Sequence, residues 1–454
     1  MEVYFFLMLM DRPMRYPRVQ VLEWCTLLKF GWAEPTTMEY FDLPLEVLGV
    51  IEIFLQDHIQ FGDGIWEVSK AEIENHKANF NSPGYTMPAS IANWPGNGDV
   101  SIGVYQVLAP FVDFDLDGIY EPENGEYPDV RGDRTLYVIL NDDADVHANT
   151  GGVKLGLELH LMFYQYESND YQNETTYLNT RIFNRAYIQY NEIQMAIWTD
   201  TDLGNPTDDF AGCDTLNNIM YTYNADADDE NAFGLNPPAF GVVSLSRPMT
   251  AFGTISSGTG AQGEPQTPIE HFYRMNAKWN DGSNFVVGGT GHGSSAGATG
   301  GPTNYLFSGN PANANEWTMR SAGLTGGDNR MFMSVDIAPV TPNLFDCADF
   351  AFIYSRSGDY EQNIQSLMTL AAQVKSDYDT DWRNYCRETT SGIQEIESVE
   401  MMVSPNPSSG KFNVELSQSV TGSIEIYAIN GQLKYAEDIH STNFVTIDQI
   451  LDAG

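Results

Sequence analysis

The sequence predicts a mainly β protein: an antiparallel β-sandwich-like main domain with one or two helices, followed by a small C-terminal β-sandwich domain. Between residues 100 and 357, short segments rich in aromatic, β-branched and leucine residues alternate with clusters of Gly, Pro, Asn and Asp. The same texture returns in a shorter segment after residue 400. The chain has 454 residues, of which 42% are hydrophobic, so two or three folded domains are expected.

The chain is predicted to have four parts: an atypical segment (1–65), a β-rich main domain (66–385), a linker (386–400) and a C-terminal domain (401–454). The start of the chain contains an apolar run from Val3 to Met10. An acidic Glu2 precedes this run and no small-residue cleavage site follows it, so it does not predict a signal peptide. We interpret the first segment as fragmentary.

Strand predictions follow from runs of β-forming residues bounded by turn residues. They cover residues 136–140, 155–166, 176–190, 192–198, 240–245, 331–337 and 350–354. Residues 157–163 carry Leu or Phe at every second position, which is typical of a strand with one buried face. In the tail, residues 412–416 alternate in the same way, and Asn430-Gly431 predicts a hairpin turn.

Two segments have helical signals. Ser69 and Glu72 have the spacing of a capping box, which predicts a helix over residues 69–80. Residues 359–378 carry apolar side chains at helical spacing, which predicts a longer helix with one buried face.

The charge balance excludes two classes of partner. The chain has 62 Asp and Glu against 22 Lys and Arg, a formal charge of −40. Such a chain repels nucleic acid and anionic membranes, and it repels itself unless cations neutralise part of its charge. Calcium is the expected cofactor, because hard divalent cations bind oxygen ligands. No run of about 18 apolar residues is present, so no membrane-spanning segment is predicted.

The best candidate for a cation site is a loop at residues 113–118. Asp113, Asp115 and Asp117 occupy alternate positions, and Gly118 permits the sharp turn that wraps oxygen atoms around one ion. The alternative is a solvated acidic turn without an ion.

Further ligands for this loop are expected downstream. The pattern of such loops assigns the carbonyl of Ile119 and the carboxylate of Glu121 to the ion. The usual closing glutamate is replaced by Asn124, so Glu123 or Asp129 is expected to take its place.

A second acidic group follows the predicted strand that ends at Trp198. Carboxylates crowded at a strand end repel one another unless a cation binds, so calcium or a plain polar loop is expected. The candidate ligands are Asp200, Asp202, Asp208, Asp209 and Asp214. A third, weaker group (Asp226, Asp228 and Asp229) is predicted to be solvated surface.

Three other patterns contain residues capable of chemistry, but a structural interpretation is favoured for each. His147, Glu158 and His160 have donors for a transition metal, but a hydrogen-bonded structural histidine is the favoured interpretation. Residues 293–297 match G-x-S-x-G, but no helix can start after them, so no nucleophile elbow is predicted. The aromatic residues that offer a glycan platform, with core packing as the favoured alternative, are Tyr164, Tyr166, Trp198, Tyr221 and Tyr223.

The four cysteines are Cys25, Cys213, Cys347 and Cys386. None of them has the close spacing of a zinc or redox motif. One or two disulfides are expected if the protein is exported, and the spacing leaves their pairing open.

The tail resembles a known sorting domain. Residues 404–412 (Ser-Pro-Asn-Pro-Ser-Ser-Gly-Lys-Phe), 424–427 (Ile-Glu-Ile-Tyr) and 430–433 (Asn-Gly-Gln-Leu) resemble the Por (type IX) secretion C-terminal sorting domain of Bacteroidetes. The resemblance implies passage through the periplasm and recognition by the type IX machinery, then release or attachment at the outer cell surface. Family members continue into a last strand with a basic, apolar end, so residues 451–454 indicate a shortened tail.

The main body resembles a group of uncharacterised cargo proteins from the same bacteria. The resemblance runs from about residue 66 to 357 and rests on residues 91–99, 113–133, 202–214 and 279–282. It implies a location and no particular chemistry.

Together these features predict an exported, calcium-stabilised protein with a structural or interaction role, and they favour a protein without enzymatic activity. Surface polysaccharide or protein is the expected partner besides the secretion machinery. The alternatives are a glycan-binding or glycan-degrading surface protein and a metal-dependent hydrolase.

Overall fold

The computed structural model describes residues 2–10, 20–24, 28–29, 52–53, 64–102, 104–141, 154–337, 339–380, 386, 401–404, 411–427 and 433–448. The chain divides into two compact units, Met1–Thr390 and Ser391–Gly454. Strands outnumber helices in the described parts and all paired strands are antiparallel, so the predicted mainly β class is confirmed.

In chain order, the strands are β1 (Glu2–Met10), β2 (Gln20–Trp24), β3 (Leu28–Lys29), β4 (Glu52–Ile53), β5 (Gly64–Ser69), β6 (Phe111–Val112), β7 (Tyr127–Pro128), β8 (Arg134–Asn141), β9 (Leu157–Gln165), β10 (Thr175–Asn184), β11 (Glu192–Asp200), β12 (Asp209–Asp214), β13 (Ile219–Asn224), β14 (Asp228–Asp229), β15 (Gly234–Leu235), β16 (Ala239–Ser244), β17 (Met249–Ser256), β18 (Asn329–Ile337), β19 (Phe345–Ser355), β20 (Met401–Ser404), β21 (Lys411–Tyr427) and β22 (Leu433–Asp448). The helices are α1 (Lys70–Asn79), α2 (Ala89–Ala92), α3 (Pro268–Met275) and α4 (Tyr360–Thr380).

Two large sheets form the described core of the main unit, and three two-stranded sheets accompany them. One has eight strands in the order β12-β13-β16-β19-β10-β9-β8-β5, and the other has five in the order β17-β18-β11-β1-β2. Strand β18 packs on β12, β13 and β19 of the larger sheet, and side chains of both sheets share one hydrophobic core. The arrangement is the predicted sandwich of antiparallel sheets.

The centre of the larger sheet differs from its prediction. The alternation over residues 157–163 predicted one buried face, but β9 is buried on both faces. The intervening Glu158 and His160 are buried because each satisfies the other, at 2.8 Å between Oε1 and Nε2. The alternating apolar residues therefore predict the strand correctly, but they do not predict that the polar pair on its other face is buried.

The predicted long helix is present as α4. Its buried residues repeat at helical spacing and pack on β16 and β19. They are Asn363, Ile364, Leu367, Ala371, Val374 and Tyr378. Fully burying a leucine such as Leu367 contributes about 1.5–3 kcal/mol. This packing holds the helix on the outer face of those strands.

The predicted capping box opens α1. The Ser69 hydroxyl accepts the Glu72 N–H at 3.3 Å, and the Glu72 carboxylate accepts the Ser69 N–H at 2.9 Å. Two backbone N–H groups that the helix itself leaves unpaired are thereby satisfied.

Replacing Ser69 with Ala is expected to destabilise the main unit by about 1 kcal/mol, because a backbone N–H of the first turn loses its acceptor. The shift of the urea midpoint measures the loss. Ser82→Ala, at an exposed position after the helix, is the matched control and is expected to change little. Equal effects of the two substitutions would contradict a capping role.

One disulfide ties the end of the main unit to its sheet. Cys347 in β19 is bonded to Cys386, with 5.3 Å between their Cα atoms. Cys213 is a buried free thiol, and Cys25 lies outside the described residues. Such a bond persists in oxidising compartments, which suits an exported protein.

The smaller unit is a three-stranded antiparallel sheet in the order β20-β21-β22. Its core consists of Val414, Val445 and Ile447 with Phe412 and Leu416 packed against them, as the alternation predicted. The expected Asn430-Gly431 turn lies outside the described residues. Among the helices that the structure describes, none is long and apolar enough to cross a membrane.

Candidate cation sites

The acidic loop after β6 brings three carboxylates together. Oxygen atoms of Asp113, Asp115 and Asp117 lie within 4.8 Å of one another. The backbone reaches this shape through two residues in the left-handed region, Leu116 at φ 63° and Gly118 at φ 76°. The turn therefore brings the three carboxylates of this loop close together.

Backbone groups hold these carboxylates in place. Asp113 accepts N–H bonds from Leu116 at 2.7 Å and Gly118 at 2.8 Å, and Asp117 accepts one from Ile119 at 2.8 Å. Desolvation alone would raise the pKa of Asp113, but hydrogen bonds from backbone N–H groups, chiefly those of Gly118 and Leu116, outweigh it and hold the pKa below its ordinary value. The carboxylate is therefore kept charged, as a cation ligand must be.

A buried glutamate that the sequence did not single out supports the loop. Glu126 is 1% exposed and accepts N–H bonds from Phe114 at 3.1 Å and from Glu121 at 2.7 Å. The side chain of Glu121 accepts a bond from Asn124 instead of joining the three aspartates. Asp129 is among the described residues, and it does not join the group of three aspartates either. Glu126 falls two residues beyond the usual closing position, so the loop pattern does not predict its role.

The second predicted group separates into different environments. Asp200 and Asp202 meet Asp328, with oxygen atoms within 4.8 Å of one another. Arg330 lies beside them, 3.0 Å from Asp200 and 3.5 Å from Asp328. Burial raises the pKa of Asp200, the arginine opposes that rise, and the other two carboxylates add to it. A guanidinium thus already supplies positive charge to this group.

Asp208 and Asp209 have no such arginine partner among the described contacts. Asp209 is 1% exposed, and its Oδ2 accepts the Leu203 N–H at 3.0 Å. Its Oδ1, like Oδ1 of Asp208, is buried and has no hydrogen-bond partner in the described part of the chain. Burial, and then the charges of Asp208, Asp202 and Asp229, raise the pKa of Asp209 to about 8. Two unsatisfied buried oxygens are costly unless something positive binds them.

Asp214, the last candidate ligand of the second predicted group, does not join the other acidic residues. Asp214 is the last residue of β12 and accepts N–H bonds from Leu216 at 2.7 Å and Asn217 at 3.3 Å. Its carboxylate shapes the turn into β13, and it belongs to neither three-carboxylate group.

The third group contains a correction. Asp226 and Asp228 are exposed, as predicted, but Asp229 is fully buried, so the surface prediction was wrong for it. Its carboxylate accepts N–H bonds from Asn205 at 2.8 Å and Ala232 at 3.1 Å. The residue joins two loops, and no neighbouring residue in the sequence indicates that contact.

The candidate transition-metal residues form a closed network. His160 bonds Tyr137 through Nδ1 and Glu158 through Nε2, both at 2.8 Å, and Arg185 lies 2.5 Å from Glu158. Both ring nitrogens are occupied within the protein, which favours the structural interpretation. His147 lies outside the described residues.

The aromatic residues weighed as a glycan platform are mostly core. Tyr164, Trp198, Tyr221 and Tyr223 are all buried, and Tyr166 is half-buried. Their alternation reflects packing in the hydrophobic core, as the favoured interpretation held.

Comparison with known proteins identifies the tail. The family model described as a secretion system C-terminal sorting domain matches residues 402–450. The chain is therefore cargo of the type IX secretion system, which delivers it to the cell surface or the extracellular space. A search of curated proteins found no match.

The solved structures that match include a polysaccharide lyase. It is 9% identical, with a TM-score of 0.23, and the match covers 72% of this chain and 34% of the lyase. This chain thus spans about a third of that protein, and a likeness at this level carries no argument about activity.

Proposed function

We propose that this exported protein has a structural or interaction role at the cell surface and that calcium stabilises its β fold. The observation that carries the proposal is the convergence of Asp113, Asp115 and Asp117 within 4.8 Å. Like charges at that separation repel, and a divalent cation with oxygen ligands removes the repulsion. The surroundings of a surface protein supply such ions.

Two further observations support a role for cations. The chain carries a formal charge of −40, so neutralisation at a few points lowers its self-repulsion. The buried Oδ1 atoms of Asp208 and Asp209 lack partners in the described structure, whereas Arg330 pairs with Asp200 and Asp328. A cation bound at either carboxylate would satisfy its buried oxygen.

Calcium is expected to raise the melting temperature of the purified protein above that in a chelator. An ion that binds only the folded state adds about 2.7 kcal/mol at a concentration 100 times its Kd. Differential scanning calorimetry at increasing calcium measures the shift. An unchanged melting temperature between chelator and millimolar calcium would reject the calcium proposal.

A double variant locates the ion. Asp115→Asn with Asp117→Asn is expected to remove most of the calcium-dependent shift while leaving the melting temperature in chelator near that of the natural chain. The matched control, Glu167→Gln with Glu192→Gln, removes the same charge at two exposed positions and is expected to keep the shift. A full shift in the first variant would place the ion at another site, such as Asp208 and Asp209.

The glycan alternative requires an aromatic-lined cleft with two carboxyl groups about 5–9.5 Å apart. The burial of Tyr164, Trp198, Tyr221 and Tyr223 does not favour it. Retention on immobilised polysaccharide would revive it.

A further inference from the structure

A glycine- and serine-rich segment, residues 288–301, carries an imidazole and a hydroxyl that form a chain with the carboxylate of Asp281. His292 Nε2 lies 3.2 Å from Asp281 Oδ2, and His292 Nδ1 lies 2.7 Å from Ser294 Oγ. Ser283 orients the acid, since its hydroxyl and its N–H both donate to Asp281 Oδ1, at 2.6 and 2.9 Å. A hydroxyl beside a base that a third group orients is the arrangement that activates a nucleophile.

The contacts determine which imidazole nitrogen carries the proton. The backbone N–H of Ser294 also points at His292 Nδ1, at 3.2 Å. An N–H can only donate, so Nδ1 has its lone pair free of a proton and Nε2–H donates to Asp281. The neutral ring is thus in the tautomer that can take a proton from the Ser294 hydroxyl.

The base is anchored while the hydroxyl is accessible. The His292 ring meets the buried Trp279 edge to face at 5.8 Å, and Trp279 in turn donates to the Gly291 carbonyl at 2.9 Å. Gly291 has φ 84°, and a side chain there would overlap Leu306. The imidazole is 14% exposed, whereas Ser294 is exposed and open to a reagent.

The central serine of the G-x-S-x-G motif at residues 293–297 is not the serine that contacts the imidazole. Ser295 is the central serine of the G-x-S-x-G pattern, but its hydroxyl accepts the Thr290 N–H at 3.1 Å. In the described residues 276–328, no strand leads directly into the motif and no helix directly follows it, so the prediction that it is not a nucleophile elbow holds. The hydroxyl that meets the imidazole belongs to Ser294.

We propose that Ser294 is a nucleophile that accepts acyl groups from activated esters and phosphonyl groups from phosphonyl fluorides, with His292 as its base and Asp281 as the positioning residue. In phosphonyl transfer, Oγ bonds to phosphorus, the P–F bond breaks with loss of fluoride, and the Oγ proton passes to Nδ1. In acyl transfer, Oγ bonds to the carbonyl carbon and its proton passes to Nδ1. The leaving oxygen departs as an alcohol with that proton, which leaves the acyl group on Ser294. Water then attacks the ester, Nδ1 relays its proton to Oγ, and the carboxylic acid is released.

The backbone N–H of Ser294 competes for the same lone pair on Nδ1, which weakens the base. Covalent labelling is therefore a better readout than turnover. We expect a fluorophosphonate probe to label the full chain at Ser294, located by peptide mass spectrometry. His292→Ala and Asp281→Asn are each expected to slow labelling about 100-fold, the lower end of typical general-base effects.

Ser295→Ala is the matched control, since it removes the neighbouring hydroxyl and is expected to label at the natural rate. Asp281→Asn keeps the size of the side chain, so it tests the relay even if His292→Ala unfolds the loop. Absence of label on Ser294 in the natural chain would overturn the proposal. Equal labelling rates for the natural chain and Asp281→Asn would overturn the role of the acid.

Discussion

Deletion of residues 402–450 is expected to hold the protein in the periplasm and to remove nearly all of it from the cell surface and the medium. The matched sorting domain is the part that the type IX machinery recognises, so its loss removes the export signal. The experiment uses a bacterium with this system and gives both chains the same cleavable signal peptide. Protease accessibility on intact cells and periplasmic fractionation measure the outcome.

A point substitution separates recognition from simple shortening of the chain. Val414 is buried in the tail core and pairs with Val445 across β21 and β22, so Val414→Asp is expected to unfold the sheet and block export. Glu415→Gln, at the adjacent exposed position, is expected to leave export intact. Surface delivery of the deletion variant would contradict the role of the tail.

Glu158→Gln is expected to destabilise the main unit by about 3–5 kcal/mol, because it leaves the largely buried Arg185 without its carboxylate. His160 loses a charged acceptor in the same step. The free energy of unfolding in urea measures the loss. Glu67→Gln is the control: it breaks an exposed ion pair with Arg134 and is expected to cost at most about 1 kcal/mol.

The same network makes the fold sensitive to acid. Burial alone would raise the pKa of Glu158, but His160 and Arg185 outweigh it and hold the pKa below its ordinary value. A carboxylate with a lowered pKa stabilises the fold above the ordinary carboxyl range, and the contribution disappears as pH falls through the folded-state pKa. Burial lowers the pKa of His160, so in acid this histidine binds a proton in the unfolded chain more readily than in the folded chain. That difference destabilises the fold further as pH falls.

The free-energy difference between the natural chain and Glu158→Gln is therefore expected to be constant from pH 6 to 8 and to shrink below about pH 4. Urea unfolding of both chains at several pH values measures it. A difference as large at pH 3 as at pH 7 would show that the carboxylate's charge is not what stabilises the network.

Local sequence determined the elements whose cause lies within a few residues. The capping box at Ser69, the helix at residues 360–380 and the acidic turn at residues 113–118 each depend on spacing along one segment. The sorting tail is also a local pattern, and the comparison confirmed it. Propensity, capping and turn geometry act between near neighbours, so they can be predicted from the chain alone.

Tertiary structure alone decided which of these groups meet. Arg330 bonds Asp200, which lies 130 positions away in the sequence. Cys347 pairs with Cys386, and the whole of helix α4 lies between them in the sequence. The burial of Asp229 and the contact of His292 with Asp281 likewise arise where separate loops fold onto each other. Periodicity reports which face of an element is apolar, but charge compensation and burial depend on neighbours that only the packed chain supplies.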